Sequence, residues 1–198
     1  MNRGKRRIAM ARIVVIDGHP ERPKSIANKA VLEEFGKLVP EAETVHLCEL
    51  YPDFRIDASR EQQRLAPAEM IIFQYPFWWY GAPSLLRRYL EQVFLPGWAY
   101  ATEKKALAGK NLALSFTIGG TEAEYQRREG VMHTIEQFLP DMLATAHFTG
   151  MTYRGAVYSF DMACFDPSDQ ARISAVQAKA RDQARRLKEH IAQFIALS

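Results

Sequence analysis

Short runs of consecutive apolar residues alternate along this chain with longer segments in which apolar residues recur every three or four positions. The runs are rich in β-branched residues, as in Ile-Val-Val-Ile over residues 13–16, which is typical of strands buried on both faces of a parallel sheet. We predict strands over residues 12–17, 43–47, 69–74, 111–117 and 155–159, with 145–148 as a further short strand.

The segments with a helical period lie between these runs. They predict helices over residues 25–38, 84–94, 132–139 (closed by Pro140) and 168–195. Residues 48–66 show no regular period and are predicted to be irregular. Strands that alternate with helices indicate the α/β class, and this number of strands favours a flavodoxin-like, doubly wound, five-stranded parallel sheet with helices on both faces.

Composition narrows the picture. With 198 residues, of which 47% are hydrophobic, we expect residues 12–198 to form a single flavodoxin-like domain and residues 1–11 a basic, mobile tail. A net charge of +3 gives no indication of a nucleic-acid partner. No apolar run approaches the ~18 residues of a membrane span. Cys48 and Cys164 are far apart and lack metal-ligand spacing, so we expect a reduced cytoplasmic protein without a bound metal.

Segments of unusual composition follow three of the predicted strands, over residues 18–28, 75–82 and 117–121. Because the carboxyl ends of parallel strands meet at one edge of the sheet, we expect these segments to converge. In the first, a helix N-terminus together with His19, Ser25 and Asn28 would suit a phosphate group. The alternative is that Ser25 is only a helix cap and His19 a turn residue. Neither a G-x-G-x-x-G motif nor a P-loop sequence is present there.

The second segment contains four consecutive aromatic residues at positions 77–80. They would form a flat apolar wall against a flavin ring, although Trp78 and Trp79 could instead be core or interface residues. Since neighbouring side chains alternate in direction, we expect one Trp to face the ring and the other to pack in the core or across a dimer. In the third segment, Gly119 and Gly120 permit close backbone approach to a ligand, and the alternative is that they only form a tight turn.

Three stretches together resemble one family: HPxxxxSxxN after the first strand, YPFWWYGAPSLLRRYLEQVFLPGWAY, and LAGKNLALSFTIGG. Residues 12–125 resemble the flavodoxin-like NAD(P)H:quinone oxidoreductases, and most closely the bacterial branch that includes the ancillary flavoproteins of glutathione-regulated potassium efflux systems. The resemblance implies bound FMN rather than FAD, NAD(P)H as co-substrate, a quinone or related electrophile as acceptor, and a homodimer with the substrate pocket at its interface. The cofactor residues that it implies are His19, Ser25, Ile26, Ala27, Asn28, Phe77, Trp78, Trp79, Tyr80, Thr117, Ile118, Gly119 and Gly120, and the pocket residues are Trp98 and Tyr100.

The same resemblance implies a ping-pong mechanism, in which a nicotinamide gives a hydride to the flavin and a quinone then takes its place and receives the hydride. The protein would supply orientation and electrostatics. The catalytic Tyr of the family matches Tyr125 in its spacing after the paired glycines. The position of the catalytic His holds Val131 here, and His133 lies two residues further on, which departs from the family's pattern.

Other functions stay open at the level of sequence. The protein could be a regulatory subunit that docks on a potassium efflux transporter at the inner membrane, through the basic tail or through an Arg-rich last helix that is otherwise a solvated face. A flavodoxin-type electron carrier is disfavoured by the weakly basic charge, because such carriers are typically acidic. The sequence leaves open the physiological acceptor and the choice between NADH and NADPH.

Overall fold

The fold is built on one parallel sheet in which the first strand lies inside rather than at an edge. The computed structural model describes residues 12–126 and 133–197. Its strands are β1 (Ile13–Asp17), β2 (Glu43–His46), β3 (Met70–Phe77), β4 (Asn111–Ile118) and β5 (Thr152–Ser159). They pair in parallel in the order β2-β1-β3-β4-β5. The direction of winding therefore reverses between β1 and β3, where doubly wound sheets form their ligand crevices.

Helices cover both faces of this sheet. They are α1 (Ala27–Leu38), α2 (Leu47–Leu50), α3 (Ala58–Leu65), α4 (Ser84–Val93), α5 (Pro140–Thr149) and α6 (Gln170–Ile191). Alternate residues of β1 point to opposite faces. Val14 and Ile16 join the apolar cluster under α4 and α5, whereas Ile13 and Val15 join the cluster under α1 and α6. The flavodoxin-like α/β fold predicted from the sequence is thus confirmed.

Strand β3 is longer than predicted. It runs to Phe77 and is buried along its whole length, so the aromatic segment begins inside the sheet rather than after it. Pairing with β4 continues to the contact between Phe77 and Ile118, which supports these extra residues. The exposed part of the aromatic segment therefore starts at Trp78.

Three local predictions were wrong. Residues 145–148 form part of α5 rather than a strand, because Pro140 occupies the first turn of that helix instead of closing an earlier one. The described part of the predicted helix 132–139 contains only the 3-10 turn Ile135–Phe138. The supposedly irregular residues 48–66 include α3, whose first turn is capped by the Asp57 carboxylate accepting from the Arg60 N–H.

The predicted basic tail, residues 1–11, lies outside the described residues, as does Val131. A single domain over residues 12–198 therefore stays a prediction. Among the described helices, none combines the length and the apolar character needed to cross a bilayer.

Strand β5 forms the long open edge of the sheet. Its ladder with β4 is irregular between Leu112 and Leu114, next to Gly155, which has a left-handed φ of 99°. Side chains of α6 reach over this edge: His190 Nε2 donates to the Arg154 carbonyl (2.5 Å), and Arg186 donates to the Tyr158 carbonyl (3.2 Å). A Cβ on Gly155 would lie 3.3 Å from the His190 ring, so the missing side chain at Gly155 also leaves room for that ring.

Candidate active site

One cavity of about 600 Å³ lies at the carboxyl edge of the sheet. All three segments predicted to converge contribute to it: the loop after β1 with the start of α1, the residues after β3, and the turn after β4. The predicted site residues that line it are His19, Ser25, Ile26, Ala27, Asn28, Phe77, Trp78, Trp79, Thr117, Gly119, Gly120 and Tyr125. The cavity therefore brings together most of the cofactor residues expected from the sequence.

The start of α1 forms one end of the cavity and presents hydrogen-bond donors. The first four N–H groups of a helix have no acceptor within it. Here the Lys29 N–H donates to Ser25 Oγ (3.0 Å) and the Ala30 N–H to the Ile26 carbonyl (3.1 Å). The N–H groups of Ala27 and Asn28 remain for a partner in the cavity, where the helix dipole favours negative charge.

His19 contributes a neutral donor to the same region. Its Nδ1 accepts from the Glu21 N–H (3.0 Å), so the ring proton resides on Nε2. Burial lowers the pKa of His19 below its ordinary value and outweighs the opposing effect of Asp17. The ring also contacts Trp78 edge-on, with centroids 5.2 Å apart. His19 is thereby fixed in place with an N–H available for hydrogen bonding.

The buried carboxylate of Asp17 holds His19 and Asn28 in place by hydrogen bonds. Asp17 Oδ1 accepts from the His19 N–H (3.1 Å) and from Asn28 Nδ2 (2.8 Å), and Oδ2 accepts from His46 Nδ1 (2.9 Å). Asn28 Oδ1 in turn accepts from Gln74 Nε2 (2.8 Å). The Asn28 side chain is thus engaged in the protein interior, which leaves its backbone N–H as the polar group that Asn28 can offer to the cavity.

The aromatic segment forms a tight hairpin at the cavity mouth. Trp78 and Gly81 exchange both backbone hydrogen bonds (3.1 Å each), and the two residues between them are left-handed, with φ of 46° at Trp79 and 64° at Tyr80. Such a turn normally uses Asn-Gly, so two aromatic residues here are strained. Trp78 is 45% exposed and Trp79 94% exposed, and both line the cavity. Neither Trp packs in the core, which removes one of the alternatives left by the sequence.

Phe138 is the centre of an aromatic cluster behind the hairpin. It stacks on Tyr80 (5.1 Å between centroids) and makes edge contacts with Phe77, Tyr125 and His133. Tyr80 and His133 do not line the cavity, whereas Tyr125 does. Burial raises the pKa of the Tyr125 phenol, and Tyr80 and Glu124 raise it further. Tyr125 therefore keeps its proton at neutral pH.

The turn after β4 closes the opposite side of the cavity. Thr117, Gly119 and Gly120 line it, while the Ile118 side chain is fully buried in the core. A Cβ on Gly120 would lie 2.6 Å from Glu124 Oε2, and that carboxylate is already held by the Thr121 N–H (2.6 Å). A side chain at Gly120 would therefore displace the Glu124 carboxylate and break its bond to the Thr121 N–H.

Comparison with known proteins identifies a family with the same fold. The profile of the family with a flavodoxin-like fold matches residues 11–184. The chain belongs to this flavodoxin-like family. The glutathione-regulated potassium-efflux system ancillary protein KefF of Enterobacter sp. (strain 638) is 35% identical over 88% of this chain and 94% of the relative. The resemblance read from the sequence is thus confirmed.

Two further relatives belong to another named group. General stress protein 14 of Bacillus subtilis is 36% identical over 72% of this chain and 81% of that protein. The crystal structure of general stress protein 14 from Treponema denticola in complex with FMN superposes with a TM-score of 0.79 at 25% identity, covering 90% of this chain and 99% of that one. The fold of this family member is thus shared with a flavin-bound protein.

Sequence reasoning missed one wall of the cavity and predicted one pair that lies elsewhere. Met162, Ala163, Cys164 and Phe165, which follow β5, line the cavity. The position of β5 beside β4 was the signal, because its carboxyl end reaches the same edge. Trp98 packs against Phe94, and Tyr100 against Phe148, so neither lines this cavity, and their role as pocket residues stays a prediction.

Proposed function

We propose that this protein is an FMN-dependent NAD(P)H:quinone oxidoreductase. The observation that carries the proposal is the single cavity in which unused helix amides, an exposed aromatic hairpin and a glycine turn meet. The helix amides suit an anionic group, the aromatic hairpin suits a planar ring, and the glycine turn suits the polar edge of that ring. The similarity to an FMN-bound protein over nearly the whole chain supports the same assignment.

The residues present fit FMN. Its phosphate would take the amides of Ala27 and Asn28, the Ser25 hydroxyl and the His19 Nε2–H. Its ring would lie against Trp78 and the hairpin, and the backbone of the Gly119-Gly120 turn can approach the polar edge of the ring closely because no side chain intervenes. Among the described residues, no cluster of His, Cys, Asp or Glu is arranged for a metal ion.

When bound, FMN supplies the hydride chemistry that side chains cannot perform. The chain binds and orients the reactants, and the aromatic hairpin limits access of water to the ring face. Tyr125 lines the cavity with its phenol protonated, so it can donate a hydrogen bond to an oxygen of a quinone acceptor. His133 contacts Phe138 outside the cavity, so we assign the proton-donating role to Tyr125 alone.

The proposal is tested by reconstituting the purified protein with FMN and titrating it anaerobically with NADH and, separately, NADPH. The expected result is loss of the flavin absorbance with one nicotinamide per FMN, its return on addition of a benzoquinone, and steady-state kinetics with parallel double-reciprocal lines. A protein that binds no FMN, or that oxidises neither nicotinamide in the presence of quinone, would overturn the proposal. The relative specificity constants give the preference between NADH and NADPH.

We also propose that the protein is a homodimer. Leu143 and Phe148 are exposed apolar side chains on α5, and Tyr100 packs on Phe148 with ring centroids 5.0 Å apart. Exposed apolar groups of this kind favour a protein interface, which would place Trp98 and Tyr100 near a second copy. Phe148→Glu should give monomers in sedimentation velocity, whereas Phe54→Glu, a change at another exposed aromatic residue, should not. A wild-type monomer at all concentrations would contradict this proposal.

A second candidate function is that of an ancillary subunit of a potassium efflux transporter. It is favoured by the relatives named KefF, which align with most of this chain. In that case the protein would act in the cytoplasm, at the membrane only through its partner. The Arg-rich face of α6 supports docking weakly, because Arg185 and Arg186 already pair with Asp182. Co-purification of a transporter with the tagged protein from its native cells would support this function, and quinone reduction without any such association would argue against it.

A further inference from the structure

Residues 161–165 form a loop after β5, and this loop makes up one wall of the cavity. No ligand contact was predicted for it from the sequence. The loop begins two residues after the end of β5 and contributes Met162, Ala163, Cys164 and Phe165 to the cavity wall. These side chains are apolar or weakly polar. They therefore suit contact with a carbon-rich part of a ligand rather than with its charged group.

A multiple ion pair fixes this loop to α6. Arg172 donates to both carboxylate oxygens of Asp161 (2.7 and 3.2 Å), to the Asp161 carbonyl (3.0 Å) and to the Ala163 carbonyl (2.8 Å). Lys179 adds a further bond to Asp161 Oδ2 (2.7 Å). Together these cations hold the pKa of the Asp161 carboxyl well below its ordinary value. The backbone at Asp161 is left-handed, with φ of 57°, so the clamp holds the chain in a conformation it would not adopt freely.

A second set of bonds joins the loop to the glycine turn. The Asp161 N–H donates to the Gly120 carbonyl (2.7 Å) and the Met162 N–H to the Ile118 carbonyl (2.8 Å). A Cβ on Gly119 would lie 3.4 Å from Ala163 Cβ, so the loop also packs closely on that turn. The loop is thus held from two sides, by α6 and by the residues after β4.

Phe165 is the last residue of this tightly held loop, yet it is 95% exposed, and it lines the same cavity as Trp79. Contact between this phenyl group and an apolar ring of a ligand would remove apolar surface of both from water, which is favourable. We propose that residues 161–165 form a fourth ligand-contacting segment of the cavity, in which Phe165 covers a planar ring of the ligand. Asp161 and Arg172 are the positioning residues that hold the segment there. This inference rests on the proposed function, with FMN as the ligand.

The two cysteines of the chain allow the contact to be measured without catalysis. Cys164 lines this cavity, whereas Cys48 lies in a separate one with Arg22 and Glu49. In the Cys48→Ser variant, FMN at a hundred times its Kd should slow alkylation of Cys164 by iodoacetamide by at least about tenfold, because only the unoccupied fraction reacts freely. In the matched Cys164→Ser variant, FMN should leave alkylation of Cys48 unchanged.

The positioning role of Asp161 is tested by comparing Asp161→Asn with Asp182→Asn. Each of these carboxylates is partly exposed and pairs with two cations of α6. Asp161→Asn should weaken FMN binding by about threefold to tenfold, the effect of two exposed ion pairs, and should reduce the protection of Cys164. Asp182→Asn breaks pairs with Arg185 and Arg186 away from the loop and should leave FMN affinity unchanged. Both variants should lose similar stability in urea, so that a difference in FMN affinity reports the position of the loop.

Phe165→Ala should weaken FMN binding by about threefold, and Phe165→Tyr should restore it.

The outcomes separate the two proposals. If wild-type protein binds no FMN, the proposed function fails and this inference fails with it. If the wild type binds FMN but Cys164 reacts equally fast with and without it, the loop does not contact the ligand, and the proposed function stands. If protection occurs but Asp161→Asn behaves as Asp182→Asn does, the positioning role of Asp161 and Arg172 is refuted.

Discussion

Replacing Trp79 by Asn should make the protein more stable and less able to bind its cofactor. Trp79 is left-handed and 94% exposed, so the substitution relieves backbone strain and removes almost no buried surface. A left-handed residue other than Gly costs about 1–2 kcal/mol, and Asn tolerates this conformation better than Trp. We therefore expect the free energy of unfolding to rise by about 0.5–1 kcal/mol, because Asn recovers part of that cost. The lost ring contact should weaken FMN binding by about twofold to tenfold.

Urea denaturation without FMN gives the stability, and fluorescence titration with FMN gives the affinity. Phe54→Asn is the control, since Phe54 is also left-handed, with φ of 61°, but lies outside the cavity. Because Phe54 is only 37% exposed, lost packing should offset more of its gain, and its FMN affinity should not change. The measurements are made at several protein concentrations, since a dimer that buries Trp79 would give concentration-dependent results.

A Trp79→Asn protein that is less stable than the wild type at every concentration would refute the reasoning about strain. It would mean that the Trp79 side chain stabilises the fold by contacts within the monomer. A loss of stability that appears only at high concentration would instead place Trp79 in the dimer interface. Unchanged FMN affinity would refute the role of the hairpin as a cofactor wall.

Three further predictions concern titratable groups. Because the pKa of His19 is lowered in the folded protein, stability should fall as the pH drops below about 6.5 and level off below the folded pKa, and His19→Gln should abolish that slope in urea titrations across pH. Tyr125→Phe should lower kcat/KM for a quinone by roughly tenfold, the value of one hydrogen bond, while FMN affinity stays constant; an unchanged rate would exclude the phenol as donor. The fully buried carboxylate of Glu61 pairs with the mostly buried Arg64 and also accepts from Tyr51 (2.7 Å) and Tyr89 (3.3 Å). Burial raises the pKa of both tyrosines, and Glu61 raises it further. Glu61→Ala should therefore cost about 3–5 kcal/mol of unfolding free energy, and Glu61→Gln clearly less; equal costs would show that hydrogen-bond geometry is unimportant there.

The sheet and most of the candidate site were predictable because β1, β3 and β4 carry strong local signals. Consecutive β-branched or apolar residues identify strands buried on both faces, and parallel pairing then fixes which loops meet. The convergence of the segments after β1, β3 and β4 follows from these two facts alone. It required no knowledge of side-chain packing.

The errors arose where one residue type serves two structural purposes. Pro140 can close a helix or begin one, and here it begins α5 directly after a 3-10 turn at Ile135–Phe138 that is capped by Leu139. The Asn28 side chain bonds to Asp17 and to Gln74, which lies 46 positions further along the chain, so only the backbone N–H of Asn28 is left for the cavity. Such long-range partners leave no local pattern. The Asp161–Arg172 clamp was hidden for the same reason.

The contacts of α6 over β5 also bear on aggregation. An eight-residue edge strand is a template on which another chain can extend the sheet, and here Arg186 and His190 occupy two of its outward carbonyls. Both residues lie beyond residue 184, where the family match ends. A chain cut at that point would keep every residue of the cavity, yet it would lose these two side chains together with the buried Leu187 and Ile191. The last turns of α6 therefore protect the β5 edge of the sheet from strand addition, and they do not line the cavity.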